Sequence, residues 1–354
     1  MVRRTIPAQQ PAVRCVIVAT LLALAPGLLF AQERPQWPPP PLPARVSYEG
    51  SFQRLQDGPS SSSLMKRVLR LLVGPSDVYT MVRPFGITTD PQGRIIVVDT
   101  EQRLVHVLDY ARHQYLHLAG SSNERFVSPI GTTVDQAGNI YVTDSYLGKI
   151  FVFKPNGKFL RFLGDAGGEG IFRRPTGIAF DAGQQHLFLT DTLFHKVFEL
   201  DLNGRILHSF GSRGVAPGEF NYPVAIACHH NRLYVVDAMN FRVQILDRKG
   251  TPVAIFGREG DAPGTFARPK SVALDSEGHI YVVDSLFDAV QVFDQQGNFL
   301  LSFGSSGSTD GEFDLPSGIY IDPADRIYVA DSYNSRVEVF QYQKPSRQGA
   351  SEKP

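Results

Sequence analysis

The chain has 354 residues, 42% of them hydrophobic, with 35 Lys and Arg balanced against 35 Asp and Glu. A chain of this length can bury a large core without disulfides, and its 32 glycines and 25 prolines are typical of a fold with many tight turns. Arg3, Arg4 and Arg14 lie within residues 1–31, which contain no acid, so the rest of the chain carries 32 basic and 35 acidic residues, a formal charge of −3. Such a surface does not attract nucleic acid or anionic lipid in general, and we predict neither as a partner.

Residues 1–31 are predicted to be a secretory signal peptide. A basic segment ending at Arg14 precedes an apolar run from Val16 to Phe30, and Ala31 supplies a small residue before a cut ahead of Gln32. The uninterrupted apolar part is too short to favour a membrane-spanning helix, although an uncleaved N-terminal anchor is the alternative. The sequence therefore predicts export to the periplasm or the cell exterior, with no membrane span after cleavage.

Residues 32–46 form a proline-rich linker that contains the run Pro38 to Pro43. Such a run favours extended polyproline II and is expected to act as a stiff spacer, with docking onto the main domain or a partner as the alternative. Residues 343–354 are rich in Lys, Ser, Gln and Glu and are predicted to be a disordered tail. Residues 47–342 remain as one folded domain.

A strand that ends in aspartate recurs six times in this domain, and a proline lies 14 to 16 residues before each aspartate. The aspartates, spaced by 45, 47, 46, 47 and 47 residues, are Asp99, Asp144, Asp191, Asp237, Asp284 and Asp331. The prolines are Pro84, Pro129, Pro175, Pro223, Pro269 and Pro316. Two independent markers therefore agree on six repeats.

Each repeat is predicted to contain four strands. A short apolar strand follows the proline, the aspartate-ended strand is second, and a third strand alternates in character, as in residues 242–246. A hairpin glycine, such as Gly157 or Gly297, then precedes the fourth strand. Four antiparallel strands repeated six times predict blades arranged around an axis, which makes the fold an all-β six-bladed β-propeller.

The repeat resembles the NHL repeat, whose pattern runs Pro-x-Gly-Ile-Ala, then Val-Asp, then an asparagine and a basic residue before Val or Ile. The sixth repeat matches this pattern at Pro316, Gly318, Ile319, Asp331, Asn334, Arg336 and Val337. The fourth keeps Asn240 and Arg242, whereas the first and fifth have Leu104 and Ala289 at the basic position. The resemblance spans about residues 65–342 and implies the propeller fold, but unrelated functions share this architecture.

The sixth repeat stops after its third strand, near Tyr342, so the ring needs another strand to close it. Residues 66–74, followed by Arg83 and Pro84, parallel residues 158–164, followed by Arg174 and Pro175. We therefore expect Val68 to Leu72 to be the outer strand of the last blade, which would cover an open edge. The alternative is a short amphipathic helix built on Leu64, Val68, Leu71 and Leu72.

The connections between blades and those joining the second and third strands share one face of the disc, which we call the long-loop face. Loops on a rigid scaffold are where function concentrates. An apolar set on this face is predicted to bind a protein or peptide partner, with packing between the blades as the alternative. This set contains Tyr146, Leu147, Phe194, Met239, Phe241, Phe287 and Tyr333.

Two groups of basic residues occur on the same face. Arg83, Arg174, Arg268 and Lys270 flank the repeated prolines and are predicted to approach the axial mouth, where they could receive an anionic ligand. Acidic residues such as Glu219 share those loops, and this mixture of charges argues against an RNA platform. The second group follows the aspartates by five residues and is expected to pair with Asp or backbone carbonyls. It contains Lys149, Lys196, Arg242 and Arg336.

The innermost strands carry no histidine or carboxylate before their terminal turns, so we predict no metal, no other cofactor and no catalytic residue. The leading hypothesis is a non-catalytic binding or scaffolding protein of the bacterial envelope. The alternative is a metal-dependent propeller enzyme, similar to a lactonase or an amidating lyase, with its metal on the axis. The sequence does not assign an oligomeric state.

Overall fold

A computed structural model describes residues 34–54 and 80–345, in which nearly all regular structure is β-strand. The strands form six large antiparallel sheets that follow one another in the order of the repeats, as a six-bladed β-propeller requires, and one separate two-stranded hairpin. No helix within these residues combines the length and apolar character needed to cross a membrane. The fold class predicted from the repeats is therefore confirmed.

Each of the first five blades is built from four strands that are consecutive in the chain. Blade 1 contains β3 (Pro84–Thr89), β4 (Ile95–Asp99), β5 (Leu104–Asp109) and β6 (Gln114–Leu118). Blade 2 contains β7 (Pro129–Val134), β8 (Ile140–Asp144), β9 (Lys149–Phe153) and β10 (Phe159–Leu163), and is followed by the small hairpin β11 (Asp165–Ala166) and β12 (Glu169–Gly170). Blade 3 contains β13 (Pro175–Asp181), β14 (His186–Asp191), β15 (Lys196–Asp201) and β16 (Ile206–Phe210). Blade 4 contains β17 (Pro223–His229), β18 (Arg232–Asp237), β19 (Arg242–Asp247) and β20 (Pro252–Phe256). Blade 5 contains β21 (Pro269–Leu274), β22 (Ile280–Asp284), β23 (Ala289–Phe293) and β24 (Phe299–Phe303). Blade 6 contains β25 (Ile319–Ile321), β26 (Arg326–Asp331) and β27 (Arg336–Tyr342), joined by β2 (Val46–Phe52) and β1 (Gln36–Trp37).

The two sequence markers of each repeat meet in space. In blades 1 to 5 the repeated proline begins the innermost strand and pairs directly with the aspartate that ends the second strand, as in Pro129 with Asp144. A register shift follows the proline in all five sheets, so one residue after it is displaced from the regular ladder. The displaced residues lie where the innermost strands begin, at the long-loop face.

The core lies between the blades. The second strands are almost wholly buried because both of their faces contact neighbouring sheets, which explains their continuous apolar sequences. A buried aromatic or methionine side chain three residues before each proline fills the space beneath each inter-blade loop. These residues are Met81, Phe126, Phe172, Phe220, Phe266 and Phe313.

Glycine two residues after the proline lets neighbouring innermost strands approach closely. A Cβ atom on Gly131 would collide with the carbonyl oxygen of Thr176 in the next blade, and one on Gly318 would collide with that of Phe85. Because real Cβ atoms do not approach backbone oxygens so closely, the glycine of the Pro-x-Gly motif is explained by contact between blades.

An N-terminal strand closes the ring, as predicted, but it is not the predicted segment. Strand β2 pairs antiparallel with β27, from Val46 opposite Tyr342 to Phe52 opposite Val337. The assignment of this position to Val68–Leu72 is therefore wrong, and residues 55–79, including the alternative helix at 64–72, lie outside the described residues. Backbone hydrogen bonds form the pairing, so any strand that offers an alternating apolar face can complete the blade.

The proline-rich linker is partly docked rather than acting only as a spacer. Strand β1 pairs with β2, and the ring of Trp37 lies 5.7 Å from the rings of both Phe303 and Phe340. Strand β2 also begins at Val46, one residue before the predicted domain boundary. The last blade is thus covered by residues that precede the repeats.

Candidate functional site

The repeated aspartates build the long-loop face. The fully buried carboxylate of Asp191 accepts hydrogen bonds from the backbone N–H groups of Arg173 and Arg174, at 2.7 and 3.0 Å, in the preceding inter-blade loop. It also accepts those of Leu193 and Phe194, at 3.1 and 3.0 Å, in the turn that follows. One carboxylate therefore ties together the two loops that carry the candidate residues, a structural role that charge-assisted hydrogen bonds suit.

The predicted apolar set separates into exposed and packed residues. Tyr146, Phe194, Met239 and Tyr333 are 76%, 40%, 54% and 56% exposed. Leu286, which the sequence also places in this turn, is 56% exposed.

Three other members of the set are only half-buried. Leu147 packs against the core between blades 1 and 2, and Phe241 packs against the core between blades 4 and 5. Phe287 is half-buried, whereas its neighbour Leu286 is exposed. Leu147 and Phe241 therefore follow the alternative prediction for this set, packing between the blades.

The exposed apolar residues concentrate on the long-loop face. Of the twelve large hydrophobic side chains exposed among the described residues, eight lie in connections on this face. They are Val82, Tyr146, Ile171, Phe194, Val215, Met239, Leu286 and Tyr333. Clustering of exposed apolar side chains is the feature that distinguishes interaction surfaces from ordinary surface.

The basic residues five positions after the aspartates are structural, as expected, in three blades. Arg336 donates to the carboxylate of Asp331 at 2.8 Å and to the carbonyl oxygens of Ser308, Thr309 and Glu312. Arg242 makes the corresponding contacts in blade 4. In blade 2, Lys149 pairs with Glu124 at 3.0 Å and Asp165 at 2.7 Å.

The innermost strands enclose a central channel with a cavity of about 220 Å³. Its lining is mostly apolar side chains and hydroxyls, such as those of Thr88, Thr132 and Ser271. Lys270 is the only Lys, Arg, Asp or Glu among the described residues that line it. This lysine directly follows Pro269, so it lies in the displaced position at the long-loop end of the channel.

The four predicted axial-mouth cations do not act as one group. Arg83, Arg174 and Arg268 precede the prolines of blades 1, 3 and 5 and all are exposed. The guanidinium of Arg83 pairs with Glu101 at 3.1 Å and lies over the ring of Tyr333. Burial, together with the positive charges of Arg268 and Arg174, lowers the pKa of Lys270 to about 8. The structure therefore brings Arg174, Arg268 and Lys270 within electrostatic reach of one another.

Sequence reasoning missed Glu338, which is fully buried in β27 beneath the last inter-blade loop. Its Oε1 atom forms an ion pair with Arg336 at 3.0 Å and accepts a hydrogen bond from the backbone N–H of Gly311 at 3.3 Å, whereas Oε2 has no hydrogen-bond partner among the described residues. Burial raises the pKa of this carboxyl to about 8. The only available sequence signal is that Gln244 and Gln291 occupy the corresponding positions in blades 4 and 5.

Within residues 34–54 and 80–345, no group of three or more His, Cys, Asp or Glu side chains is arranged to hold a metal ion. The polar features described above are thus the structural aspartates with their basic partners, the channel-mouth cations and Glu338.

Comparison with known families agrees with the geometry. A sequence model described as a six-bladed beta-propeller matches residues 87–212, and the NHL repeat matches residues 313–340. The protein is therefore a six-bladed β-propeller that carries NHL-type repeat sequence, as the motifs of the sixth repeat indicated.

A similar sequence occurs in NHL repeat-containing protein 2 of Bos taurus, at 26% identity over 159 residues. This alignment covers 36% of the present chain and 22% of the relative, so the chain spans about a fifth of the curated relative it matches.

Solved structures share the fold at low identity. Virginiamycin B lyase from Staphylococcus aureus, crystallised with quinupristin, has a TM-score of 0.54 at 13% identity, covering 74% of this chain and 95% of that one. An auxiliary nutrient binding protein from Bacteroides thetaiotaomicron has a TM-score of 0.58 at 13% identity, covering 75% and 70%. A protein of unknown function from the same organism has a TM-score of 0.61 at 12% identity, covering 84% and 76%. At these identities the likeness establishes the fold alone.

Proposed function

We propose that this protein is a non-catalytic binding propeller that holds a protein or peptide partner on its long-loop face. The single observation that carries this proposal is the concentration of exposed apolar side chains on that face. Tyr146, Met239, Leu286 and Tyr333 occupy the same position in four different blades, two residues after the buried aspartate. A partner could therefore contact several blades at once.

The scaffold suits this role because the exposed side chains sit on fixed loops. Each turn is held by hydrogen bonds to a buried aspartate, as in the contact of 3.1 Å from the Tyr146 backbone to Asp144. Large aromatic side chains on a rigid support provide contact area with little loss of conformational entropy. Tyr and Met are also enriched at the centres of protein interfaces.

We further propose that the protein acts outside the cytoplasm, in the periplasm or at the cell exterior. The support is the predicted signal peptide of residues 1–31, which lies outside the described residues. N-terminal sequencing of the protein from native cells tests this directly. Export with cleavage predicts a mature chain beginning at Gln32, whereas a chain that retains residues 1–31 contradicts cleavage.

The binding proposal is tested by affinity capture from native envelope extracts with a double variant, Tyr146→Ser and Phe194→Ser. The matched control is Val253→Ser with Leu300→Ser, because these residues are 49% and 46% exposed on the outer strands of blades 4 and 5. Both pairs should leave the fold intact, since exposed substitutions usually change stability by less than about 0.5 kcal/mol each.

Loss of a captured partner with the first pair, and its retention with the control pair, is the expected result. Retention by both variants, or equal loss from both, contradicts binding through the long-loop face.

The enzyme alternative requires a metal on the axis. Elemental analysis of the purified protein addresses it, because one tightly bound Ca²⁺ or Zn²⁺ per chain would favour the enzyme and overturn the non-catalytic assignment.

A further inference from the structure

We propose that the long-loop end of the central channel is a binding site for one carboxylate group, held between Lys270 and the guanidinium groups of Arg174 and Arg268. The carboxylate belongs either to a small organic acid or to the C-terminus of a peptide. This site is separate from the exposed apolar residues of the long-loop face, and the inference does not depend on the proposed partner.

The first observation is an unmatched positive charge inside the channel. Lys270 lines the cavity and is half-buried, and it makes no hydrogen bond or ion pair with any residue that the structure describes. No carboxylate of the described residues lines the same cavity. Because a partly buried charge without a partner is costly, the channel mouth has a positive character that favours binding of an anionic group.

The second observation is that both neighbouring arginines have fixed backbones and free side chains. The Arg174 and Arg268 N–H groups donate to Asp191 and Asp284 at 3.0 and 2.9 Å, which holds both residues beside the mouth. Neither guanidinium group has a hydrogen-bond or ion-pair partner among the described residues. The charges that act on Lys270 are those of these two arginines.

Acidic residues of the surrounding loops either have other partners or do not contribute to the electrostatic environment of Lys270. Glu219 and Glu312 accept hydrogen bonds from backbone N–H groups within their own loops, at 3.1 and 2.9 Å. Glu101 pairs with Arg83. Asp261 and Asp314 are exposed, and neither contributes to the electrostatic environment of Lys270. The mixed charge of the loop sequences therefore does not neutralise the channel mouth.

Cavity size and lining select the ligand class. A volume of about 220 Å³ is smaller than the roughly 300–1,000 Å³ of drug-sized pockets, so the ligand or the inserted group must be small. The walls beyond Lys270 offer mostly hydroxyls and apolar side chains, which suit an uncharged body. The His229 imidazole and the Cys228 thiol also line the channel, at the opposite end of the innermost strand of blade 4 from the prolines. The planar fork of an arginine matches a carboxylate, which accepts two parallel hydrogen bonds.

Isothermal titration calorimetry with five probes tests the inference. They are butyrate, its neutral amide butyramide, inorganic phosphate, and a short apolar peptide with either a free or an amidated C-terminus. We expect saturable one-to-one binding of a carboxylate probe and none of its amide. Binding should weaken above pH 8 as Lys270 loses its proton, because the ligand favours the charged amine.

Variants of Lys270 and Arg268 test whether these two residues bind the carboxylate. Lys270→Met should weaken binding at least about tenfold and Arg268→Gln by several fold, since each change removes a charge-assisted hydrogen bond to the carboxylate. Lys270→Arg keeps the charge and should keep binding. Arg83→Gln is the matched control, because Arg83 holds the equivalent position in blade 1 but is already paired with Glu101.

The outcomes distinguish the two sources of the carboxylate, a small organic acid and the C-terminus of a peptide. Binding of butyrate assigns the site to small acids, and binding of the free peptide without butyrate assigns it to chain termini. The inference is overturned by three results: no saturable carboxylate binding, tighter binding of phosphate than of either carboxylate, or unchanged affinity in folded Lys270→Met and Arg268→Gln proteins.

Discussion

Replacing Glu338 with glutamine should stabilise the propeller at neutral and alkaline pH. At the equivalent position in blade 5, the Gln291 amide accepts from the Gly264 N–H at 2.8 Å and donates to the carbonyl oxygen of Thr265 at 2.8 Å. Glu338 accepts a hydrogen bond from the Gly311 N–H, as Gln291 does from the Gly264 N–H. An ionised carboxylate has no proton to donate, so Glu338 cannot form an equivalent of the hydrogen bond from Gln291 to Thr265. Its Oε2 atom is accordingly buried without a partner among the described residues.

The magnitude follows from the pKa of Glu338. Burial raises this pKa to about 8 from 4.5, Arg336 at 3.0 Å opposes the shift, and the negative charges of Asp331 and Asp310 add to it. At about 1.4 kcal/mol per pKa unit, the penalty of ionising the folded state is on the order of 5 kcal/mol. Because the pKa of Glu338 is raised in the folded state, the contribution of its protonated carboxyl to stability is fully present below pH 4.5. That contribution is lost as the pH rises through pH 8.

Urea unfolding of the wild type and Glu338→Gln at pH 4, 7 and 9 measures this effect. The free energy of unfolding should differ little at pH 4, and the variant should gain on the order of 5 kcal/mol by pH 9. The reverse change, Gln291→Glu, should introduce a penalty with the same pH dependence. A gain that does not vary with pH, or a variant that is less stable than wild type at pH 9, would refute this reasoning.

Three further predictions concern the scaffold, each measured by thermal or urea unfolding. Asp191→Asn should cost roughly 2 kcal/mol because four backbone N–H groups lose a charged acceptor, and a change below about 0.5 kcal/mol would contradict the structural role. Gly131→Ala should cost roughly 2–3 kcal/mol through collision with Thr176, whereas Ala225→Gly at the same position in blade 4 should cost under about 1 kcal/mol; equal costs would exclude the contact between blades. Removal of residues 1–52 should abolish cooperative unfolding by exposing the β27 edge, whereas removal of residues 1–33 should not; a cooperative, unchanged transition in the longer truncation would disprove closure by β2.

The number of blades and their boundaries could be predicted from the sequence because they depend on local chemistry. Each aspartate accepts a backbone N–H group of the preceding inter-blade loop, and in blades 1 to 5 the proline begins the strand that pairs with the aspartate. Both markers therefore recur along the chain. Arg242 and Arg336 could likewise be assigned to structural pairing, because a basic side chain five residues after a buried carboxylate lies opposite it across the strand pair.

The closing strand could not be identified from the sequence because its pairing with β27 uses backbone hydrogen bonds, which many different side-chain sequences can form. Residues 66–74 resemble the fourth strand of another repeat, and β2 does not. Val46, Tyr48 and Phe52 nevertheless bury one face of β2, and a register shift near Gly50 adjusts the pairing. Long-range pairing of this kind is decided by the whole ring, which no local pattern records.

The apolar residues were found by their spacing from the aspartates, but spacing did not distinguish exposed from packed side chains. Tyr146 points into solvent while the adjacent Leu147 packs on the blade core, and both follow the same aspartate. For the basic residues at the channel mouth, sequence position likewise did not distinguish paired from unpaired side chains. Pairing between Arg83 and Glu101 depends on how two loops meet, so only the structure separates Arg83 from Arg174 and Arg268.

Site-specific photo-cross-linking in native cells tests the central claim most directly. A photoreactive phenylalanine derivative replaces Tyr146 or Met239 on the long-loop face, and Leu300 on the outer strand of blade 5 provides the control position. Binding through the long-loop face predicts that one and the same protein is cross-linked from the first two positions and not from the third. Cross-linking from Leu300 alone, or no product from Tyr146 and Met239, would contradict it.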